Sequence, residues 1–294
     1  HKLSLSSFHA IVGRGGILKP IVAGTYRVGD AILKDLKEAK RGDHASNLGG
    51  ILAYDLAKDY SIPSYIVDPI TVDEFTPWAR ISGLSEIQRK CLSHALNIRA
   101  IARKASSDLG LEFSKVNFIV AHLGGGISVV PLERGKIIDV NNANEGGPFS
   151  PDRAGSVPSG DLIRLCFNGV FNEKEMKEKL TKKGGMFAYL GTKNALEVEE
   201  RIKKGDEYAL LVYEAMGYQI AKEIGSSSAV LKGDIKAIIL TGGLAYSKML
   251  TGWIKDMVSF LAPVLIYPGE SEMEALALGA LRVLKGEEEA KEYL

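Results

Sequence analysis

Cysteine is scarce, charge of either sign is nearly balanced, and long apolar runs are missing. Each shortage removes a class of protein. Only 2 cysteines occur in 294 residues, Cys91 and Cys166, in separate segments and without metal-ligand spacing. Both thiols are therefore expected to be free and buried, which suggests a reducing cytoplasm. The formal net charge is +1, so no global basic field points to nucleic acid or an anionic membrane. Opposite charges interleave, as in Lys34-Asp35-Leu36-Lys37-Glu38, which reads as a solvated helix face. No uninterrupted apolar run approaches the ~20 residues of a membrane span, and no signal peptide is recognisable. What remains is an ordinary globular composition, 46% hydrophobic and 25% charged, in a chain long enough for two domains.

Apolar strand-like runs alternate with helical stretches, which predicts an α/β protein. Strands are expected at Phe8–Val12, Ser64–Val67, Asn117–Ala121, Ile127–Leu132, Ile137–Val140, Ala237–Leu240 and Val264–Tyr267. Helices are expected at His44–Lys58, Ile87–Leu109, Ser159–Cys166, Lys174–Leu180, Ala195–Lys204, Tyr208–Leu231 and Ser271–Leu284. The segment Asn141–Pro158 is rich in Asn, Gly, Pro and Ser, and reads as a long functional loop.

Two internal correspondences point to duplication. Ala10-Ile-Val-Gly-Arg-Gly-Gly16 matches Ala237-Ile-Ile-Leu-Thr-Gly-Gly243, and Pro63–Pro69 resembles Pro263–Pro268 as a short strand bracketed by prolines. Both pairs occur in the same order, which favours a repeated α/β domain. The strand, glycine turn and hairpin of 117–140 have no counterpart before Ala10. If the halves are equivalent, the first lacks its opening strands and a phosphate turn, and the chain opens with His1 and not Met.

The strongest chemical motif is Ala121-His-Leu-Gly-Gly-Gly-Ile-Ser128. A strand running into Gly124, Gly125 and Gly126 brings bare backbone N–H groups to a point, an anion-binding concavity with His122 at its lip. A tight hairpin needing positive φ is the alternative. Thr241, Gly242, Gly243 and Leu244 follow a strand and are expected to open a helix, where nucleotide can lie against backbone. Arg14, between glycines at a strand end, offers a planar fork for carboxylate or phosphate; a surface arginine in a turn is equally compatible. Arg153, in the long loop, suits an arginine finger or a solvated position alike. Asp68 precedes Pro69 as a cation-orienting carboxylate or an Asx turn, and His44 opens a helix as a site or capping residue. Glu270, Glu272 and Glu274 surround the start of the last helix, where acids complement the dipole or reach a metal.

Taken together, Gly13–Gly16, Asp43–Gly49, Val67–Pro69, Ala121–Gly126, Asp139–Ala143, Gly147–Arg153 and Leu240–Ala245 resemble the butyrate kinases. These belong with the acetate kinases in the superfamily of sugar kinases, actin and heat-shock chaperones. The resemblance runs from about Leu3 to the last helix. It implies duplicated ribonuclease-H-like domains, the first at 1–112 and the second, nucleotide-binding, at 113–270, with 271–294 packing back on the first. It implies ATP/ADP and Mg2+, a cleft between domains, and phosphoryl transfer to butyrate or a related short or branched fatty acid, giving acyl phosphate. A cytoplasmic homo-oligomer is expected, with neither nucleic acid nor membrane as partner. Arg14 would hold the substrate carboxylate or acyl phosphate, Arg153 and His122 the transferring phosphoryl group, and His44 would line the same cleft. Asp68 would orient the arginines or Mg2+, Glu272 would be the metal-side glutamate, and Gly124–Gly126 with Thr241–Leu244 would meet the nucleotide. The family's opening Asn-x-Gly-Ser-x-Ser-x-Lys turn has no match here. Where the family shows an acidic residue and then arginine near adenosine, this chain has Asn194 and Leu196. A nucleotide-binding regulatory module and a sugar kinase are the alternatives.

Overall fold

The computed structural model describes residues 4–42 and 45–294; His44 lies outside the described residues. In chain order the first elements are β1 (Ile11–Arg14), β2 (Thr25–Arg27), α1 (Asp30–Glu38), α2 (Asn47–Ala57), β3 (Ser64–Val67) and α3 (Ala95–Asp108). Next come β4 (Asn117–Leu123), β5 (Ile127–Glu133), β6 (Lys136–Ile137), α4 (Ser159–Phe167), α5 (Glu173–Thr181), α6 (Gly185–Leu190) and α7 (Ala195–Lys203). The chain closes with α8 (Glu207–Val230), β7 (Ala237–Gly242), α9 (Lys248–Val258), β8 (Val264–Pro268) and α10 (Glu272–Leu284). Two compact units result. One holds the described residues up to Phe75 with Cys91–Ala100 and Ser271–Leu294; the other holds Thr76–Lys90 with Ile101–Glu270.

In the first unit a three-stranded sheet runs β1-β3-β2, with β1 parallel and β2 antiparallel to β3. Successive residues of β3 face opposite sides. Ile66 enters a core with Ile32, Leu33 and Leu36 of α1, while Val67 packs with Leu96 of α3 and with Ala275 and Leu276 of α10. Helix α2 meets β1 backbone to backbone: a Cβ on Gly49 would lie 2.5 Å from Arg14 O and 2.7 Å from Arg14 N. The adjacent Gly49-Gly50 therefore seats α2 on β1, at a cost in helix propensity of ~1 kcal/mol per glycine.

In the second unit the sheet order is β6-β5-β4-β7-β8. Ile119, Ala121 and Leu123 of β4 face a core built with α6, α7, α8 and α9, including Met186, Val198, Tyr213, Met216, Ile220 and Leu250. The intervening residues Phe118, Val120 and His122 point to the other face and are buried as well.

The two internal correspondences coincide in register. Ile11 pairs with Ser64 and Arg14 with Val67; Ile238 pairs with Val264 and Thr241 with Tyr267. Ile11 N donates to Pro63 O at 3.0 Å, and Ile238 N to Pro263 O at 2.9 Å. Both parallel pairs thus start from an equivalent proline carbonyl, one residue after an equivalent alanine. Strand β7 is buried throughout and has β4 on its second side, whereas β1 is an edge strand among the described residues.

Several expectations need correction. The helix expected from Ile87 begins at Ala95, because residues 80–89 fold back on themselves through a turn: Ile81 bridges Gln88 antiparallel, Ile87 N donates to Leu84 O and Arg89 N to Arg80 O. The strand Ile137–Val140 shrinks to Lys136–Ile137; Val129 N then finds Asn141 Oδ1 at 2.6 Å instead of a strand carbonyl. Periodicity does not reveal β2, α6 or α9. Cys91 is buried as expected, but Cys166 is exposed because α4 buries none of its residues.

Candidate active site

In the second unit, β4 and β5 are joined by Gly124-Gly125-Gly126, and none of the three has a positive φ. The hairpin therefore does not need glycine for its backbone angles. It needs glycine for space. A Cβ on Gly124 would lie 3.0 Å from His122 Nε2, and one on Gly126 would lie 2.5 Å from Arg153 Nη1 and 2.7 Å from Cζ. The space in front of Gly125 is open. His122 and Arg153 are thus laid against the glycine turn, bringing three of the sequence-predicted features together. The side chain of His122 is 2% exposed, with Nε2 3.1 Å from Glu270 Oε1.

The Arg153 loop is anchored and not loose. Ser150, nearly fully buried, donates from Oγ to Gly125 O at 2.5 Å and accepts the Arg153 N–H at 3.2 Å. The first amides of α6 complete the mooring: Met186 N donates to Ser150 O at 3.0 Å and Phe187 N to Pro151 O at 2.9 Å. Arg153 Nη1 donates to Asn144 Oδ1 at 2.7 Å, which holds the guanidinium within the same loop. Ser150→Ala leaves Gly125 O and the Arg153 N–H short of a partner. We expect a loss of about 1–3 kcal/mol, read as a lowered urea midpoint with an unchanged m-value.

The turn at 241–244 lies at the end of β7, whose register sets His122 opposite Thr241. Gly242 has φ of +91°, and a Cβ there would meet Leu123 O at 2.5 Å, so both backbone angle and close approach require glycine. Thr241 is fully buried. Residues Gly243–Tyr246 form a 3-10 turn, and the following helix starts only at Lys248, with Ser247 Oγ accepting from Leu250 N at 3.0 Å. The expectation that the turn opens an α-helix is thereby corrected: Ser247 already occupies that helix start. Asn194 is exposed, and its Oδ1 caps α7 by accepting from Leu196 N at 3.0 Å.

Nearby motif residues do structural work. Asp139 Oδ1 lies 2.8 Å from Arg89 Nη2. Burial pushes the Glu223 carboxyl above the usual range, and the negative charge of Asp139 adds to the shift.

In the first unit, a pocket is lined by Arg14, Asp68, Pro69, Ile70, His94, Leu96, Asn97 and Glu272, among others. Arg14 ends β1, and its Nη1 lies 3.1 Å from Glu272 Oε2 at the start of α10. Asp68 stands one residue beyond β3 with φ of +37°, a strained angle of the kind that gathers at functional sites. Its N–H donates to Gly24 O at 3.0 Å, and its Oδ1 accepts the Gly24 N–H at 2.8 Å. Arg99 Nε of α3 lies 3.1 Å from the same Oδ1. Sequence reasoning passed over both Arg99 and His94. Arg99 shares its helix with Arg103 and Lys104, and its contact with buried Asp68 sets it apart from a solvated arginine.

Among the described residues no helix is long and apolar enough to cross a membrane. Residues 86–251 match the model of the acetokinase family. Over 291 residues the chain is 54% identical to butyrate kinase 2 of Clostridium acetobutylicum, covering 99% of this chain and 82% of that protein. Among solved structures, Porphyromonas gingivalis acetate kinase is similar with a TM-score of 0.84 at 20% identity, over 96% of this chain and 79% of that one. Entamoeba histolytica acetate kinase is similar with a TM-score of 0.77 at 16% identity, over 94% and 79%. The expected duplicated ribonuclease-H-like fold is the fold of these kinases. Matched across most of its length by a relative of this identity, and over 86–251 by the family model, the chain belongs to the acetokinase family.

Proposed function

We propose that this protein moves the γ-phosphoryl group of ATP reversibly to the carboxylate of butyrate or a related short or branched fatty acid, giving acyl phosphate and ADP. The observation that carries the reading is the 54% identity to a butyrate kinase. The packing of His122 and Arg153 on the glycine turn supports it chemically.

A fatty-acid carboxylate has a pKa near ~4–5 by analogy with Asp and Glu, so it is ionised at neutral pH and needs no general base. The difficulty is repulsion between two anions. On this reading Arg14 holds the acyl carboxylate. The amides of Gly124–Gly126 and the side chains of His122 and Arg153 meet the phosphoryl oxygens, and Thr241–Leu244 lie against the nucleoside. Positioning and countercharge carry the catalysis.

The reading includes Mg2+. In phosphoryl transfer this ion takes one or two carboxylates together with phosphate oxygens and water. Glu272 fits as one such carboxylate, half-buried beside Arg14; among the described residues no three His, Cys, Asp or Glu stand close enough for a fuller cage. When bound, the ion supplies charge neutralisation on phosphate oxygens.

Trapping acyl phosphate with hydroxylamine tests the proposal. With ATP we expect hydroxamate from butyrate, and no phosphorylation of glycerol or hexoses. Sugar phosphorylation without hydroxamate would favour a sugar kinase, and ATP binding with neither product a regulatory module.

A further inference from the structure

Asp68 and Arg99 form a buried pair, with side chains 5% and 9% exposed, at the wall of the pocket that also holds Arg14. A buried carboxylate beside a site for an anionic acceptor is a liability, because it repels the molecule that Arg14 attracts. Two features of the geometry counter this. The Arg99 guanidinium supplies a compensating positive charge from within the protein. The Gly24 N–H at 2.8 Å and Arg99 Nε at 3.1 Å also meet the same oxygen, Oδ1, which ties the carboxylate to the backbone and to α3. The strained φ of Asp68 fits a residue whose orientation is imposed by its partners.

We infer that Arg99 is a positioning residue: acting through Asp68, it fixes the orientation of that carboxylate and cancels its charge towards the carboxylate acceptor. This rests on the function proposed above and extends it to a residue buried behind the pocket.

A double-mutant cycle tests it, with Arg99→Met, Asp68→Asn and the two combined. Acceptor Kd is measured by calorimetry with butyrate, and kcat and KM by hydroxamate formation. In the parent background Arg99→Met is expected to weaken acceptor Kd and KM by about 10- to 100-fold, within the span of couplings between touching residues. In the Asp68→Asn background the same substitution is expected to change Kd by less than about twofold, because its target is gone. A merely structural role would instead lower stability while leaving acceptor Kd, measured on folded protein, unchanged. Arg99→Lys keeps the charge and is expected to recover part of the affinity. It guards against the case in which Arg99→Met leaves Asp68 unpaired and fails to fold. Equal losses in both backgrounds, or an unchanged Kd in Arg99→Lys and Arg99→Met alike, would overturn the inference. If the parent binds butyrate but forms no hydroxamate, the proposed function fails while the cycle on Kd still decides the role of Arg99. If the parent does not bind butyrate, both ideas fall.

Discussion

Arg153→Ala is expected to lower turnover by about 10³–10⁵, the range found when a charge-stabilising arginine is removed from phosphoryl transfer, while leaving the fold intact. The second half of that expectation comes from the loop. Residues 150–153 are held through the main chain and the Ser150 hydroxyl, by bonds to Gly125, Met186 and Phe187. The guanidinium contributes its bond to Asn144 and its close approach to Gly126. Truncation therefore removes the charge without releasing the loop, and thermal unfolding should stay within ~2–4 °C of the parent, the shift that ~1 kcal/mol produces in a chain of this size. Near-parental turnover in Arg153→Ala would exclude this arginine from the chemistry.

Gly126→Ala is expected to reproduce much of that loss without touching a charged residue. Gly126 does not have a positive φ, so alanine fits the backbone. The added methyl collides with the Arg153 guanidinium, the far end of a flexible side chain, which moves in preference to the strand. Displacing a catalytic group by about 1 Å costs on the order of 10²-fold in rate. Steady-state kinetics beside calorimetric unfolding should show kcat reduced by that order and Tm nearly unchanged. Gly125→Ala provides a contrast, since nothing among the described residues opposes a methyl there. If phosphate approaches that open face, nucleotide KM rises in Gly125→Ala although no protein contact is disturbed. Parental kinetics in both variants would mean that the glycine turn is not a ligand surface.

Some of this was legible in the residues themselves. Three glycines after a buried strand identified the turn, and a repeated Ala-Ile strand start identified the duplication, because both are local patterns with a physical cause. Why Gly126 is glycine was not legible, since its neighbour Arg153 arrives through the fold and not through adjacency. Arg99 was hidden for a related reason: a helical arginine reads as solvated until a buried carboxylate is found against it. The helix misplaced over Ile87–His94 shows the opposite failure, in which apolar spacing suggested a helix where the backbone begins with a bridged turn. Asn194, expected near the adenosine, also caps the start of α7, a role that the Asn before a helical stretch made readable.

Arg14 and Thr241 stand at the same address in two copies of one design, three residues along matching strands. One copy carries a permanent cation there; the other carries a hydroxyl that donates to Gly269 O at 3.3 Å. A repeated scaffold lets specialisation proceed by unequal inheritance: what one copy gives up in charge, its twin retains, and neither has to invent a new strand to do so.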